Sequence, residues 1–277
     1  MSMDKIPLAG VIGSPVAHSR SPRLHGHWLR KYGLPGHYIP MDVPADRLEE
    51  TLRLLPQIGF VGVNITIPHK ERVMEIADLV SDRATLIGAA NTLIFRRDGK
   101  IHADNTDGFG FIENLRQSAP NWQPESGPAV VFGAGGAARA VVASLLEVGV
   151  PEIRLTNRTR LRAETLREDF GNRIKVVDWV QAGNAVEGAA TVVNSTSLGM
   201  TGKAELRVPL DGLSRRALVT DLVYTPLQTR LLRVAAEMSC TCVDGLGMLL
   251  HQAVPGFERW FGQRPEVDEA LRAVVLE

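Results

Sequence analysis

Opposite charges cancel in this chain of 277 residues, and long apolar runs are missing from it. The 31 basic and 31 acidic residues give no net charge, so nothing electrostatic indicates a nucleic acid or an anionic membrane as a partner. No apolar run approaches the roughly 20 residues that a membrane-spanning helix needs. The N-terminus has only a short apolar run that leads into a strand, so we expect no signal peptide. We therefore expect a cytoplasmic protein whose partners include no nucleic acid and no membrane.

Cysteine is also scarce, with only Cys240 and Cys242 in the chain. No further cysteine and no histidine cluster provides the ligand spacing of a metal site. We expect both cysteines to be thiols, as is usual in a reducing cytoplasm, and we expect no metal.

Alternating strand and helix patterns predict an α/β protein, and the length allows one large or two medium domains. Residues 91–96 and 100–103 flank the turn Arg97-Asp98-Gly99 and predict a hairpin, hence one antiparallel pair in a sheet. Segment 118–128 contains three prolines and is the best candidate for a linker. The strands expected before the hairpin are 8–12, 37–43 and 60–66, and those expected after the linker are 129–132, 153–156, 174–177, 191–194, 218–222 and 241–244.

A glycine-rich turn follows the first strand after the linker. The motif Gly133-x-Gly135-x-x-Ala138 lies between strand 129–132 and a predicted helix over 137–147, which is the context in which it binds a dinucleotide. There Gly133 permits the tight turn, Gly135 lets the pyrophosphate approach the backbone, and Ala138 lets the helix pack on the strand. The alternative is a tight turn with no ligand. The expected cofactor contacts in this turn are Gly133, Ala134, Gly135, Gly136 and Ala137.

The end of the next strand is basic. Residues 153–156 lead into Asn157-Arg158-Thr159, where an NAD site usually has an acidic residue. Arg158, and Arg162 one helical turn further on, suit the 2′-phosphate of NADP because guanidinium pairs with phosphate in a bidentate way. The alternative is that both arginines are solvated charges on an exposed helix start. We expect NADP as the cofactor, with Asn157 and Thr159 close to it.

Polar clusters follow two of the N-terminal strands, where α/β proteins bind their ligands. In His18-Ser19-Arg20-Ser21-Pro22, both serine hydroxyls could bind one carboxylate near a helix N-terminus, or Ser21 could simply cap the helix. In the segment 64–70, Lys70 stands where a strand gives way to a helix. It is either a desolvated acid/base or an ordinary surface lysine.

A third cluster surrounds the predicted hairpin and consists of Asn91 with residues 104–108. Asp and Asn at such positions can bind polyol hydroxyls or hold a lysine. Equally, Asp107 could cap the helix predicted over 106–117. Together the three clusters describe a site for a small polar molecule.

The clusters belong to a series of motifs that resembles the shikimate dehydrogenase family in order and spacing, over nearly the whole chain. The motifs are HSRSP (18–22), NITIPHK (64–70), GAANT (88–92), DNTDG (104–108), GAGGAARA (133–140), NSTSLGM (194–200), DLVYTPLQT (221–229) and DGLGMLLHQA (244–253). The resemblance implies reversible, NADPH-dependent reduction of 3-dehydroshikimate to shikimate, on the route to chorismate and the aromatic amino acids. It also implies two domains. A split N-terminal α/β substrate domain, residues 1–117, is completed by 245–277, and a Rossmann-type NADP-binding domain comprises 118–244. We expect a monomer or a homodimer.

The resemblance also assigns roles to residues. Lys70 and Asp107 are implied as catalytic, with Lys70 moving the proton and Asp107 orienting it and accepting a hydrogen bond from a substrate hydroxyl. Ser19 and Ser21, helped by Tyr224, are implied to hold the substrate carboxylate, and Thr66, Asn91 and Gln252 to contact ring hydroxyls. Thr196 and Gly245 join the cofactor site, the latter near the nicotinamide.

Two departures from many relatives, Ala90 in GAANT and Ser195 in NSTSLGM, are small. Quinate-using relatives often have Thr at the second serine position and an acidic residue near position 157. Ser21 and Arg158 therefore favour shikimate and NADP. The alternatives are a quinate/shikimate or aminoshikimate dehydrogenase, or a non-catalytic ligand sensor on the same fold.

Overall fold

The structure is a computed structural model that describes residues 6–277. Its strands are β1 Leu8–Gly13, β2 His37–Asp42, β3 Phe60–Ile65, β4 Leu79–Val80, β5 Thr92–Phe95, β6 Ile101–Asp104, β7 Ala129–Phe132, β8 Ile153–Asn157, β9 Ile174–Asp178, β10 Thr191–Asn194, β11 Leu218–Asp221 and β12 Thr241–Val243. Its α-helices are α1 Ser21–Lys31, α2 Leu48–Leu54, α3 Val73–Ile76, α4 Asp82–Ile87, α5 Asp107–Ser118, α6 Gly136–Glu147, α7 Arg160–Phe170, α8 Ala182–Ala185, α9 Arg230–Glu237, α10 Leu246–His251, α11 Val254–Phe261 and α12 Glu269–Leu276. No helix within residues 6–277 has the length and apolar character needed to cross a membrane.

The chain divides by its internal contacts into two compact units. The first consists of residues 6–106 together with Leu250–Glu277, and the second is the continuous segment Asp107–Leu249. The first unit therefore contains both ends of the described chain.

The first unit has a six-stranded sheet in the order β2-β1-β3-β5-β6-β4. Strand β1 pairs in parallel with β2 and β3, whereas β5 is antiparallel to both β3 and β6. The predicted hairpin is thus confirmed, and it supplies the antiparallel part of the sheet. The last helices return to this sheet, since the Trp260 indole donates a hydrogen bond to the backbone oxygen of Leu93 at 3.1 Å. A Cβ atom at Gly62 would lie 2.0 Å from the Trp260 indole nitrogen, so only glycine fits there.

The second unit has a six-stranded sheet in the order β12-β11-β10-β7-β8-β9, with every strand parallel to its neighbours. Strands of such sheets are covered on both faces and read as continuous apolar runs. All four residues of β7, Ala-Val-Val-Phe, are accordingly buried. One apolar cluster lies around α5, α6 and α7, and another around α8 and α9. This is the Rossmann-type arrangement that the glycine motif predicts, so the predicted α/β fold class is confirmed.

Element bounds agree with the predicted strands to within one residue, but other details differ. The short strand β4 was not predicted, and the helix expected to open at residues 68–70 begins only at Val73. The predicted domain limits, 117/118 and 244/245, also differ from the division by contacts. Helix α5 groups with the second unit because it packs closely on α6: a Cβ atom at Gly108 would lie 3.1 Å from the Ala140 oxygen.

Candidate active site

The two serines of the first motif lie at the start of α1. Ser21 is the first residue of this helix, and the N-cap is Arg20, which makes no side-chain cap hydrogen bond. The interpretation of Ser21 as the cap is therefore wrong, because the helix begins at Ser21 itself, one residue earlier than a Ser21 cap requires. Ser21 is buried, and its backbone N–H donates to the Ser19 hydroxyl oxygen at 3.3 Å. Both predicted serines thus belong to one small turn.

Lys70 follows a turn that leaves β3. The turn is fixed by backbone hydrogen bonds, from Thr66 N–H to Ile12 O at 2.8 Å and from His69 N–H to Thr66 O at 3.0 Å. The His69 ring is buried, and its Nε2 lies 2.7 Å from the backbone oxygen of Val43. The His69 ring therefore anchors the turn. Lys70, which directly follows it and is half-buried, is the candidate reactive side chain of this turn. The Lys70 backbone oxygen in turn accepts a hydrogen bond from Ala90 N–H at 2.8 Å, which joins this turn to the segment before Asn91.

Asn91 is the centre of a buried polar network. Its Oδ1 accepts hydrogen bonds from Thr106 N–H at 2.9 Å and from the Thr92 hydroxyl at 3.0 Å. Because a backbone N–H can only donate, the orientation of this amide is fixed, with Oδ1 towards Thr106. The Asn91 Nδ2 donates to Gln252 Oε1 at 3.2 Å. The structure thus brings together two predicted substrate residues that are 161 positions apart in the sequence.

Residues before α5 are held by their own side chains. The Asp104 carboxylate accepts a hydrogen bond from the Ser81 hydroxyl at 2.7 Å, and Asn105 Nδ2 donates to Ala89 O at 2.9 Å. Asp107 follows as the first residue of α5 and is half-buried.

The glycine turn of the second unit has room for a ligand. Gly133 has a φ of +109°, and a Cβ atom there would lie 2.7 Å from the Ser195 hydroxyl. At Gly135 and Gly136, in contrast, a Cβ atom would meet nothing within 4 Å, and both residues are exposed. Gly135 is the N-cap of α6 and has no side chain to bind the first N–H groups of the helix. An open helix N-terminus of this kind attracts anions, which favours a ligand over a merely tight turn.

The four arginines near the end of β8 fall into two classes. Arg154 pairs with Glu152 at 3.0 Å, and Arg160 pairs with Glu164 at 2.9 Å and with Asp178. Arg158 and Arg162 are exposed and make no ion pair with any residue of 6–277. The two arginines predicted to bind a 2′-phosphate are therefore the two whose charge is not neutralised by a carboxylate.

Thr196 and Tyr224 lie on loops that start from a buried pair, Asn194 and Asp221. The Asn194 Oδ1 accepts hydrogen bonds from the Thr196 hydroxyl at 2.7 Å and from the Thr196 N–H at 3.0 Å. Burial raises the pKa of Asp221, although three hydrogen bonds oppose that effect. A Cβ atom at Gly245 would lie 2.4 Å from the Leu222 backbone oxygen, so this position admits only glycine. Asn194 and Asp221 belong to the quoted motifs, but nothing local marks them as residues that hold the loops.

Among residues 6–277 no group of three metal-binding side chains comes together, and Cys240 and Cys242 are both free thiols. The residues that are present fit NADP instead. An open helix N-terminus follows the glycine turn, and two arginines without acidic partners follow the next strand.

Three family models match the chain. The model described as shikimate dehydrogenase substrate binding domain matches residues 11–93, the shikimate/quinate 5-dehydrogenase model matches 117–201, and the shikimate 5′-dehydrogenase C-terminal domain matches 245–275.

Relatives match over nearly the full length. An NADP+-dependent shikimate dehydrogenase of Cereibacter sphaeroides is 71% identical over 272 residues, which cover 98% of each chain. The solved structure of shikimate 5-dehydrogenase from Thermus thermophilus, in complex with NADP(H) and shikimate, is 36% identical. It has a TM-score of 0.85 and covers 97% of this chain and 98% of that one. Quinate dehydrogenase from Corynebacterium glutamicum, in complex with NAD, is 30% identical with a TM-score of 0.88, at the same coverage.

Proposed function

We propose which residues carry out the reaction of this chain. The chain belongs to the shikimate dehydrogenase family and is an NADP-dependent oxidoreductase that interconverts 3-dehydroshikimate and shikimate. The observation that carries the assignment of its residues is the contact between Asn91 and Gln252. Each was expected to contact a ring hydroxyl, and the fold of the first unit joins them.

Lys70 is the proposed acid/base. Oxidation of a secondary alcohol releases a hydride and a proton, and bound NADP+ supplies the hydride acceptor. Lys70 Nζ then takes the hydroxyl proton in the oxidation and returns it to the ketone oxygen in the reduction. The turn before Lys70 supports this role, because hydrogen bonds of His69 and Thr66 fix the backbone that leads to Lys70. Asp107 is proposed to accept a hydrogen bond from a substrate hydroxyl and to orient Lys70.

Neutral hydroxyls are proposed to hold the substrate carboxylate. Ser19 and Ser21 lie in one turn at the start of α1, and hydroxyl donors facing a carboxylate form charge-assisted hydrogen bonds. Tyr224 is proposed to add a third hydroxyl. Thr66, Asn91 and Gln252 are proposed to contact the ring hydroxyls.

NADP is proposed to bind along the glycine turn of the second unit. The N–H groups at the start of α6 would hold its pyrophosphate, and Arg158 and Arg162 its 2′-phosphate, with Asn157 and Thr159 beside them. Thr196 and the backbone of Gly245 would lie towards the nicotinamide. We further expect the protein to act in the cytoplasm as a monomer or a homodimer.

A comparison of two substrates with two cofactors tests this proposal. Shikimate and quinate are each supplied with NADP+ and with NAD+, and the formation of reduced nicotinamide is followed by absorbance. We expect the highest kcat/KM for shikimate with NADP+. Comparable rates with quinate would favour a quinate/shikimate dehydrogenase. Calorimetric binding of shikimate without turnover of either acid would favour a non-catalytic sensor.

A further inference from the structure

Helix α5 carries a buried amide that faces away from solvent inside the second unit. The helix packs on α6 at Gly108, and its side chains Phe111 and Leu115 belong to the apolar cluster around α5, α6 and α7. Asn114 lies between these two apolar residues in the sequence and is itself only 2% exposed. A buried amide of this kind needs hydrogen-bond partners within the protein.

The main partner of Asn114 lies far away in the sequence. The Asn114 Nδ2 donates a hydrogen bond to the backbone oxygen of Asp244 at 2.8 Å, across 130 positions. A carbonyl oxygen can only accept, so this contact fixes which end of the amide faces Asp244, and Oδ1 accepts from the Ser118 hydroxyl at 3.4 Å. Strand β12 ends at Val243, so Asp244 is the first residue beyond its ladder with β11. The amide therefore binds the chain where the sheet no longer fixes it.

Gly247 shows how closely the segment 244–247 approaches α5. A Cβ atom at Gly247 would lie 1.8 Å from Asn114 Oδ1, and its three nearest atoms would all belong to Asn114. The φ of Gly247 lies outside the left-handed region. The contact with Asn114, and not the backbone conformation, therefore requires glycine at this position.

The same segment also lies against the end of β11. A Cβ atom at Gly245 would lie 2.4 Å from Leu222 O and 2.8 Å from Asp221 O. The peptide that joins Asp244 to Gly245 is planar, so the hydrogen bond that Asn114 donates to Asp244 O also sets the direction of the Gly245 N–H. The backbone of Gly245 is thus confined by β11 and oriented by α5.

We propose that Asn114 is a positioning residue for the nicotinamide end of NADP. By binding Asp244 O, it fixes the backbone of Gly245, which is proposed to lie towards the nicotinamide. The inference rests on the proposed function, because it concerns the same cofactor site. A backbone that is already fixed needs no further ordering when the cofactor binds, and this favours tight binding of the nicotinamide part.

Two ligands separate this role from a general effect on the fold. NADP+ contains the nicotinamide, whereas adenosine 2′,5′-bisphosphate contains the adenosine and the 2′-phosphate without it. Isothermal titration calorimetry measures the Kd of each ligand for wild type and for Asn114→Ala. We expect the Kd for NADP+ to rise about fivefold in Asn114→Ala, and that for the bisphosphate to stay within about twofold of wild type.

Ser144→Ala is the matched control. Ser144 lies on α6 of the same unit and is buried, and its hydroxyl donates to Val141 O of its own helix at 3.0 Å. Each variant removes one buried polar group, so both are expected to lose some thermal stability. Only Asn114→Ala should change the ratio of the Kd for NADP+ to the Kd for the bisphosphate.

Gly247→Ala disturbs the same contact from the other partner. Its methyl group would overlap Asn114 Oδ1, so the amide would have to move. We expect the same rise in the ratio of Kd values, and this variant replaces Asn114→Ala if that one does not fold. In the double variant, Gly247→Ala should add little to Asn114→Ala, because the methyl group enters the space that the amide has left.

An unchanged ratio of Kd values in Asn114→Ala or, where that variant does not fold, in Gly247→Ala would overturn this inference and leave the proposed function intact. Equal rises in both Kd values leave the ratio unchanged and would overturn it too, since they would indicate general loosening of the cofactor site. Effects that multiply in the double variant would also overturn it, because the two residues would then act at separate contacts. A wild-type protein that binds neither ligand would overturn the proposed cofactor site, and this inference with it.

Discussion

Asp221 accepts a hydrogen bond from the side-chain amide of Asn194 at 2.9 Å, and this contact joins the ends of two adjacent strands, β10 and β11. The same carboxylate accepts from Val223 N–H at 2.9 Å and from the Thr229 hydroxyl at 2.8 Å. Asn194 in turn holds Thr196. One buried carboxylate thus fixes both loops that carry proposed site residues in the second unit.

Asp221→Asn should change how stability depends on pH. Burial raises the pKa of Asp221 above its usual value of 3.8, so the folded protein binds this proton more tightly than the unfolded chain does. The resulting contribution to stability is complete below pH 3.8 and is lost as the pH rises through the folded pKa. The Asn variant lacks this titration.

We therefore expect the difference in Tm, wild type minus Asp221→Asn, to become smaller between about pH 4 and about pH 7. Thermal unfolding at a series of pH values measures it. Asp211→Asn, which removes an exposed carboxylate of the same unit, controls for the change in net charge. A difference that stays constant or grows with pH would contradict the prediction.

His25 should contribute to the decrease in the free energy of unfolding at acid pH. Burial lowers the pKa of its imidazole from 6.5 to about 3, against a smaller opposite effect of the nearby Asn64 amide. The unfolded chain takes up this proton first as the pH falls. Stability present above pH 6.5 is therefore lost between about pH 6.5 and about pH 3, by up to about 1.4 kcal/mol per pH unit.

His25→Phe keeps a ring that can stack on Tyr38 and removes the titration. Its free energy of unfolding, measured with urea between about pH 6.5 and about pH 4, should fall less steeply than that of wild type. The exposed His37 serves as the control, through His37→Gln. Equal slopes for wild type and His25→Phe would show that His25 is not buried in its neutral form.

Replacing Arg158 and Arg162 with Leu should weaken NADP+ selectively. A charge-assisted contact with the 2′-phosphate is worth about 1.5–3 kcal/mol, so the KM for NADP+ should rise at least about tenfold while that for NAD+ stays nearly the same. Steady-state kinetics with both cofactors measures the effect. The matched control is Arg160→Leu with Arg167→Leu, which removes two charges from α7 that are already paired with Glu164. Equal weakening towards both cofactors would mean that Arg158 and Arg162 do not bind the 2′-phosphate.

Lys70→Ala should lower kcat for shikimate oxidation by roughly 10²–10⁴-fold, since a positioned acid/base contributes about that much. The KM for shikimate should change far less. Lys70→Arg keeps the positive charge but does not release a proton near neutral pH, so it should not restore kcat. Recovery of turnover in Lys70→Arg would indicate that the charge of Lys70 is sufficient, and near-normal turnover in Lys70→Ala would remove the residue from the mechanism.

Local patterns were enough to predict most of the fold. Strand β7 reads as a continuous apolar run that ends in Gly133, and both the strand bounds and the positive φ of that glycine follow from the sequence. The class of the site could be predicted for the same reason, because its residues follow strand ends that are visible in the sequence.

Relationships over long distances in the sequence could not be predicted. The buried side chain of Tyr38 lies on a strand whose neighbouring residues are exposed, and its partner Asn64 is 26 positions away. The turn before Lys70 delays the start of α3 because the His69 ring binds Val43 O, again 26 positions away. The grouping of α5 with the second unit depends on its packing against α6, which the proline-rich segment between them does not reveal.

The position of Trp260 against Gly62 has a consequence for how the chain folds during translation. The sheet of the first unit is covered by residues that leave the ribosome only after the 143 residues of the segment Asp107–Leu249. At about 5–20 residues per second that segment takes roughly 7–30 s to synthesise. The second unit is continuous and can fold as it emerges, whereas the residues of the first sheet must wait in an incomplete state. During translation the N-terminal part therefore exposes apolar surface for longer, and it is the part of the nascent chain on which chaperones have the most time to act.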